Sequence, residues 1–101
     1  MTDNSKKLGE ILSYLEKMVE EKKKSDEQSY TNELLKKDTN RIAQKVGEEA
    51  IELVIAATIK NEKQIIYESA DLLYHILVLW GKLDIKGESI AEELLRRKKW
   101  I

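Results

Sequence analysis

Glu48, Glu49, Glu52, Glu68 and Asp71 are the residues whose type and spacing could do chemistry. Helical spacing of about 100° per residue puts Glu48 and Glu52 in one band with Arg41 and Lys45, beside the apolar stripe of Ile42, Val46 and Leu53. Glu49 falls at the edge of that stripe, where burying an unpaired carboxylate is costly, so something must compensate it. Further along, Glu68, Asp71 and His75 stack on one narrow helix face. A short turn at Lys60-Asn61 makes the two segments an antiparallel hairpin. A rise of about 1.5 Å per residue then sets Glu68 about 10 Å from the turn, Glu52 about 14 Å, Asp71 about 15 Å and Glu49 about 18 Å. The acids share one level.

At about 6 Å and an effective dielectric of about 20, each like-charged pair costs on the order of 3 kcal/mol. Lys45 and Arg41 are too few to offset several such pairs. Either some carboxyls stay protonated or divalent cations sit among them. Oxygen-only donors suit Mg²⁺, with Mn²⁺ as the second candidate, better than Zn²⁺. Mg²⁺ held by few protein ligands typically arrives with a phosphorylated substrate. The competing structural reading is that acidic runs form solvated helix faces. A di-iron bundle is disfavoured, because it wants Glu-x-x-His pairs where this chain has Glu49-x-x-Glu52 and Glu68-x-x-Asp71.

The elements that must position these residues are all helices. Leu8, Ile11, Leu12, Leu15, Met18 and Val19 recur at three- and four-residue steps and predict a first helix from Ser5 to Lys23. Ser29 should cap a short second helix carrying Leu34 and Leu35, and Thr39 a long third one. Asn61 with Gln64, and Ser89 with Glu92, read as capping boxes for a fourth and a fifth. Gly81 and Gly87 bracket the expected loop from Lys82 to Glu88. The fourth helix is apolar on every side and should be central. The expected fold class is therefore all-α: an antiparallel bundle of about five helices, completed by dimerisation because the fourth helix has more apolar surface than its short neighbours cover.

With 101 residues the chain has room for one compact domain. At 42% hydrophobic and 37% charged it is neither disordered nor membrane-spanning in composition. Absent proline and only four glycines favour helix and starve strand turns. A formal charge of -1 offers no field to attract nucleic acid. Without cysteine, disulfides, thiol catalysis and Cys-zinc sites are excluded. The start Met1-Thr2-Asp3-Asn4-Ser5-Lys6-Lys7 lacks the apolar core of a signal peptide, so a cytoplasmic location is expected.

The pattern Glu48-Glu49-x-x-Glu52 followed by Glu68-x-x-Asp71 resembles the metal-binding motif of the MazG-like all-α nucleotide pyrophosphohydrolases. Three words are more specific: Ser29-Tyr30-Thr31, the run Arg41-Ile42-Ala43-Gln44-Lys45-Val46-Gly47-Glu48-Glu49-Ala50, and Glu68-Ser69-Ala70-Asp71-Leu72-Leu73-Tyr74-His75. They resemble the phosphoribosyl-ATP pyrophosphatase family of histidine biosynthesis, over residues 29–98. The resemblance implies Mg²⁺-dependent hydrolysis of 1-(5-phosphoribosyl)-ATP to 1-(5-phosphoribosyl)-AMP and pyrophosphate. It makes Glu49, Glu52, Glu68 and Asp71 metal ligands, and Glu48 a group behind the ligands or the base that orients water. Asp38 stands where family members commonly have glycine, and an Asp tolerates that turn. Many relatives carry a fused cyclohydrolase domain that nothing here could supply, so the resemblance implies the stand-alone form.

Lys45, a turn before the acidic pair, is the expected phosphate-binding cation, and Arg41 extends the same band. His75 reads as a core histidine able to hold Asp71, not as a ligand. Arg96-Arg97-Lys98-Lys99 reads first as a complement to a helix dipole. Tyr67, Tyr74 and Trp80 read as packing, and Trp100 as cover for a partner. Two other functions fit parts of the pattern: a house-cleaning hydrolase of free nucleoside triphosphates, and a non-catalytic helical dimerisation module.

Overall fold

The computed structural model describes residues 7–100, and of Trp100 the backbone alone. The expected helix start at Ser5, the reading of the N-terminal segment up to Lys6 and the role given to the Trp100 side chain lie outside what is described. Five helices follow one another: α1 (Lys7–Lys23), α2 (Tyr30–Lys36), α3 (Thr39–Thr58), α4 (Glu62–Lys82) and α5 (Gly87–Arg96), with a short 3-10 turn at Lys98–Trp100. Among the described residues there is no strand, and no helix is long and apolar enough to cross a membrane. The all-α bundle follows from the helical periodicity of the apolar residues.

Helices α3 and α4 form the principal pair, and α1 and α2 pack against α4. The hairpin between them closes through backbone bonds alone. Lys60 adopts a left-handed conformation (φ 55°), Asn61 N–H reaches Ala56 C=O at 3.2 Å and Lys60 N–H reaches Ala57 C=O at 3.1 Å. This Schellman closure satisfies the last carbonyls of α3. Asn61 immediately caps α4, its side chain accepting from Gln64 N–H at 3.1 Å. The same closure recurs at the end of α4 around Asp84 (φ 58°), whose carboxylate also holds Lys23 of α1. Val19, Leu34, Ile42 and Val78 form the core, one residue from each of the first four helices.

Ser29 caps α2 by accepting from Asn32 N–H at 3.1 Å. Three local expectations are corrected. Asp38, not Thr39, caps α3: its carboxylate accepts from Arg41 N–H at 2.9 Å, and Thr39 is already helical. Helix α5 starts at Gly87 instead of near Ile90 because a distant residue does the capping, Gly87 N–H donating to Glu16 of α1. The loop is correspondingly shorter. Gly81 is no loop bracket; it lies buried within α4, where a Cβ would overlap Val19 Cγ1, so glycine sets how closely α1 and α4 approach.

Candidate active site

The Lys60-Asn61 turn sets α3 and α4 at the register that brings their acidic faces together. Glu49 is the buried member, 8% exposed, and its carboxyl is held above the ordinary range. The largest cause is hydrogen bonding to the Asp71 carboxyl, then burial, then the Asp71 charge; Lys45 opposes them. Lys45 Nζ stands 3.5 Å from Glu49 and 3.9 Å from Glu48. Glu68 is also raised, by desolvation first and then by the charges of Glu52 and Asp71. Glu49, Asp71, Glu68 and Glu52 thus form one chain of interacting acids across the two helices.

Glu48 and Arg41 stand apart from that chain. Glu48 is exposed and accepts from Gln44 Nε2 at 3.1 Å along its own helix. Arg41 is exposed on the first turn of α3. Arg96 and Arg97 are held by Glu93, in the last turn of α5. The oxygens of Glu49 and Asp71 lie within 4.8 Å of each other and of a ring nitrogen of His75.

His75 lies behind the cleft, one turn after Asp71 and in contact with it as its spacing predicts. Tyr30 and Thr31, which back it from α2, were not placed there by any spacing in the sequence. His75 is 2% exposed, and its Nδ1 lies 2.8 Å from the Asp71 backbone oxygen and 3.2 Å from Asp71 Oδ1. Its Nε2 is 3.0 Å from Tyr30 Oη. Thr31 Oγ1 bonds Tyr74 Oη, and the Tyr30 and Tyr74 rings stack with centroids 6.1 Å apart. Helix α2 is therefore pinned to the acid-bearing helix by the words Ser29-Tyr30-Thr31 and Tyr74-His75. Helical periodicity cannot relate residues so distant in the chain.

A family comparison matches residues 12–98 to the description Phosphoribosyl-ATP pyrophosphohydrolase. Among curated relatives, the phosphoribosyl-ATP pyrophosphatase of Zymomonas mobilis subsp. mobilis is 43% identical over 90 residues, 88% of this chain and 84% of the relative. That of Geotalea daltonii is 48% identical over 80 residues, 79% of this chain and 76% of the relative. The histidine biosynthesis bifunctional protein HisIE of Campylobacter jejuni is 44% identical over 90 residues, 88% of this chain but 44% of that protein. The chain spans less than half the length of the bifunctional relatives it matches.

Proposed function

We infer that this chain, which belongs to the phosphoribosyl-ATP pyrophosphohydrolase family, hydrolyses 1-(5-phosphoribosyl)-ATP between its α and β phosphates, yielding 1-(5-phosphoribosyl)-AMP and pyrophosphate. The observation that carries the reading is the Glu49–Asp71 pair: two carboxyls from adjacent helices whose oxygens lie within 4.8 Å of each other beside Lys45, with Glu49 buried and its carboxyl held above the ordinary range. Native folds rarely crowd acids in this way without a function that requires it.

The donor set fits a hard divalent cation. It consists of carboxylate oxygens that repel one another when ionised, and Glu49 is short of positive charge. Glu49, Glu52, Glu68 and Asp71 would hold Mg²⁺, or Mn²⁺ in its place. When bound, the ion offsets phosphate charge, polarises a phosphoryl oxygen and lowers the pKa of water. The remaining work falls to side chains. Lys45, on the rim of the acidic cleft, exchanges its contacts with Glu48 and Glu49 for a substrate phosphate. Arg41, exposed one turn earlier, meets the outer part of the polyphosphate. Glu48 orients the attacking water and accepts its proton. The water oxygen bonds to phosphorus, the anhydride P–O bond breaks, and pyrophosphate leaves with that electron pair. No covalent enzyme intermediate is needed.

Residues 1–101 act in this reading as one catalytic domain, with the motif-bearing part at 29–98, and two copies associate. Ile51, Val54, Ile55 and Ile59 on the outer side of α3 and Ile66 on α4 are each more than half exposed. So much apolar surface on one hairpin is the mark of an interface, and a second chain covering it would complete the bundle. Light scattering at micromolar concentration should give twice the 11.8 kDa chain mass. Ile55→Glu should give the monomer.

Pyrophosphate release from phosphoribosyl-ATP, with and without Mg²⁺, tests the function. Turnover that needs Mg²⁺ and ignores free deoxynucleoside triphosphates supports it. Turnover of the triphosphates alone would move the chain to the house-cleaning hydrolases, and no turnover of either would favour a dimerisation module.

A further inference from the structure

His75 touches the acidic cleft, yet its hydrogen bonds give it a different part from the carboxylates. A carbonyl oxygen only accepts, so the 2.8 Å contact with the Asp71 backbone assigns the ring proton to Nδ1. The same N–H leans toward Asp71 Oδ1 at 3.2 Å. Nε2 is then an acceptor and receives the Tyr30 hydroxyl proton at 3.0 Å. Both ring nitrogens are committed, and no lone pair faces the cleft. We propose that Tyr30 and His75 form a positioning strut: Tyr30 of α2 fixes the Nδ1–H tautomer of His75, which holds one oxygen of Asp71 and turns the other toward Glu49.

The surroundings of the strut support a purpose beyond packing. His75 is almost wholly buried between α2 and α4, and Tyr74 packs edge-on against its ring at a centroid distance of 5.0 Å. Thr31 ties Tyr74 in turn. The imidazole therefore has one orientation available, and that orientation ends on Asp71. Partners standing behind a ligating group tune metal affinity by fixing the ligand's rotamer and basicity, typically by about 10- to 100-fold. Helix α2 contributes no acid to the cleft, so the strut also gives this seven-residue helix a role at the site.

The proposal rests on the reading of Asp71 as a divalent-cation ligand, and direct Mn²⁺ titration of the intact chain, followed by the electron paramagnetic resonance of free Mn²⁺, separates the two. His75→Leu removes the donor and should weaken Mn²⁺ binding by about 10- to 100-fold. His75→Asn puts an amide N–H near the place of Nδ1 and should recover most of that loss. Tyr30→Phe keeps the stacked ring, deletes only the hydroxyl, and should weaken binding in the same direction by a smaller factor. If His75→Leu fails to fold by circular dichroism, the Asn and Phe variants decide. Unchanged Mn²⁺ affinity in folded His75→Leu, or equal affinity in the Asn and Phe variants and the parent where the Leu variant is lost, would overturn the strut while leaving the cation site standing. A parent chain that binds no Mn²⁺ would remove both.

Discussion

Replacing Asp71 by Asn should make the cation-free protein more stable while ending its response to Mg²⁺. Glu49 and Asp71 offer oxygens within 4.8 Å of each other. Two unit charges at that separation repel by about 3.5 kcal/mol at an effective dielectric of 20 and by about 0.9 kcal/mol in bulk water. Glu49 is 8% exposed and the Asp71 side chain 30%, so the true cost lies between these limits, about 1–2 kcal/mol near neutral pH. An Asn at 71 keeps an oxygen for His75 and offers an amide N–H to Glu49, replacing repulsion with a hydrogen bond at nearly constant shape. For a domain of this size that corresponds to a Tm increase of about 5–15 °C.

Thermal melts at pH 7.5, at one protein concentration, with EDTA and then with excess Mg²⁺, read both effects. In EDTA the Asn variant should melt above the parent. With Mg²⁺ at about 100 times its Kd the parent gains about 2.7 kcal/mol by mass action. The variant gains far less, so the order of stability reverses. A variant that melts at or below the parent in EDTA would show that the acids do not repel. An equal Mg²⁺ response in both proteins would show that Asp71 is not a ligand.

The pH dependence of the cation-free chain follows from the same groups. Glu49 and Glu68 are raised above 4.5, so between the ordinary carboxyl range and their raised values the folded state holds protons that the unfolded state has lost, and stability falls as pH rises. Melts in EDTA should show Tm falling from pH 5 toward pH 7, with a flatter profile in Glu49→Gln; a parent slope of opposite sign would contradict the assignment. Glu52→Gln should abolish pyrophosphate release without loss of helical circular dichroism, and wild-type turnover in that variant would remove Glu52 from the site. Gly81→Ala should destabilise by about 1–3 kcal/mol, because its methyl group meets Val19 in a helix crossing that cannot widen freely. An unchanged Tm there would mean that the crossing is loose.

Local rules succeeded where the bond that ends or begins a helix is itself local. Ser29 and Asn61 cap α2 and α4 through the backbone N–H three residues on, a relation visible in a short window of sequence. They failed where a partner from elsewhere took over. Glu16 anchors the start of α5 across the bundle, so the Ser89-Glu92 box was overridden. Gly81 serves helix packing, although a glycine near a helix end reads as punctuation. Lys60 turns left-handed without the glycine or asparagine that would have announced it, because the two backbone bonds it allows close the hairpin.

The acidic cleft was legible for a reason that does not extend to the whole site. Helical periodicity turns spacing along the chain into an angle, and a tight turn turns distance from the hairpin into height. Together they place Glu49, Glu52, Glu68 and Asp71 without any knowledge of packing. The Tyr30–His75 bond has neither aid, since an irregular stretch at residues 24–29 separates α1 from α2 and leaves the docking of α2 to tertiary contacts. Asn32 supplies one of them, its Nδ2 donating to Lys22 C=O at 2.9 Å, and Lys82 Nζ another, donating to Leu35 C=O at 2.9 Å. These bonds fix α2 from both ends at a height where Tyr30 meets His75. The acids are placed by the geometry of one hairpin, and what holds them steady is placed by the fold around it. Substitutions in α2 far from any carboxylate should therefore register first as a change in cation affinity, before any change in the α3–α4 hairpin itself.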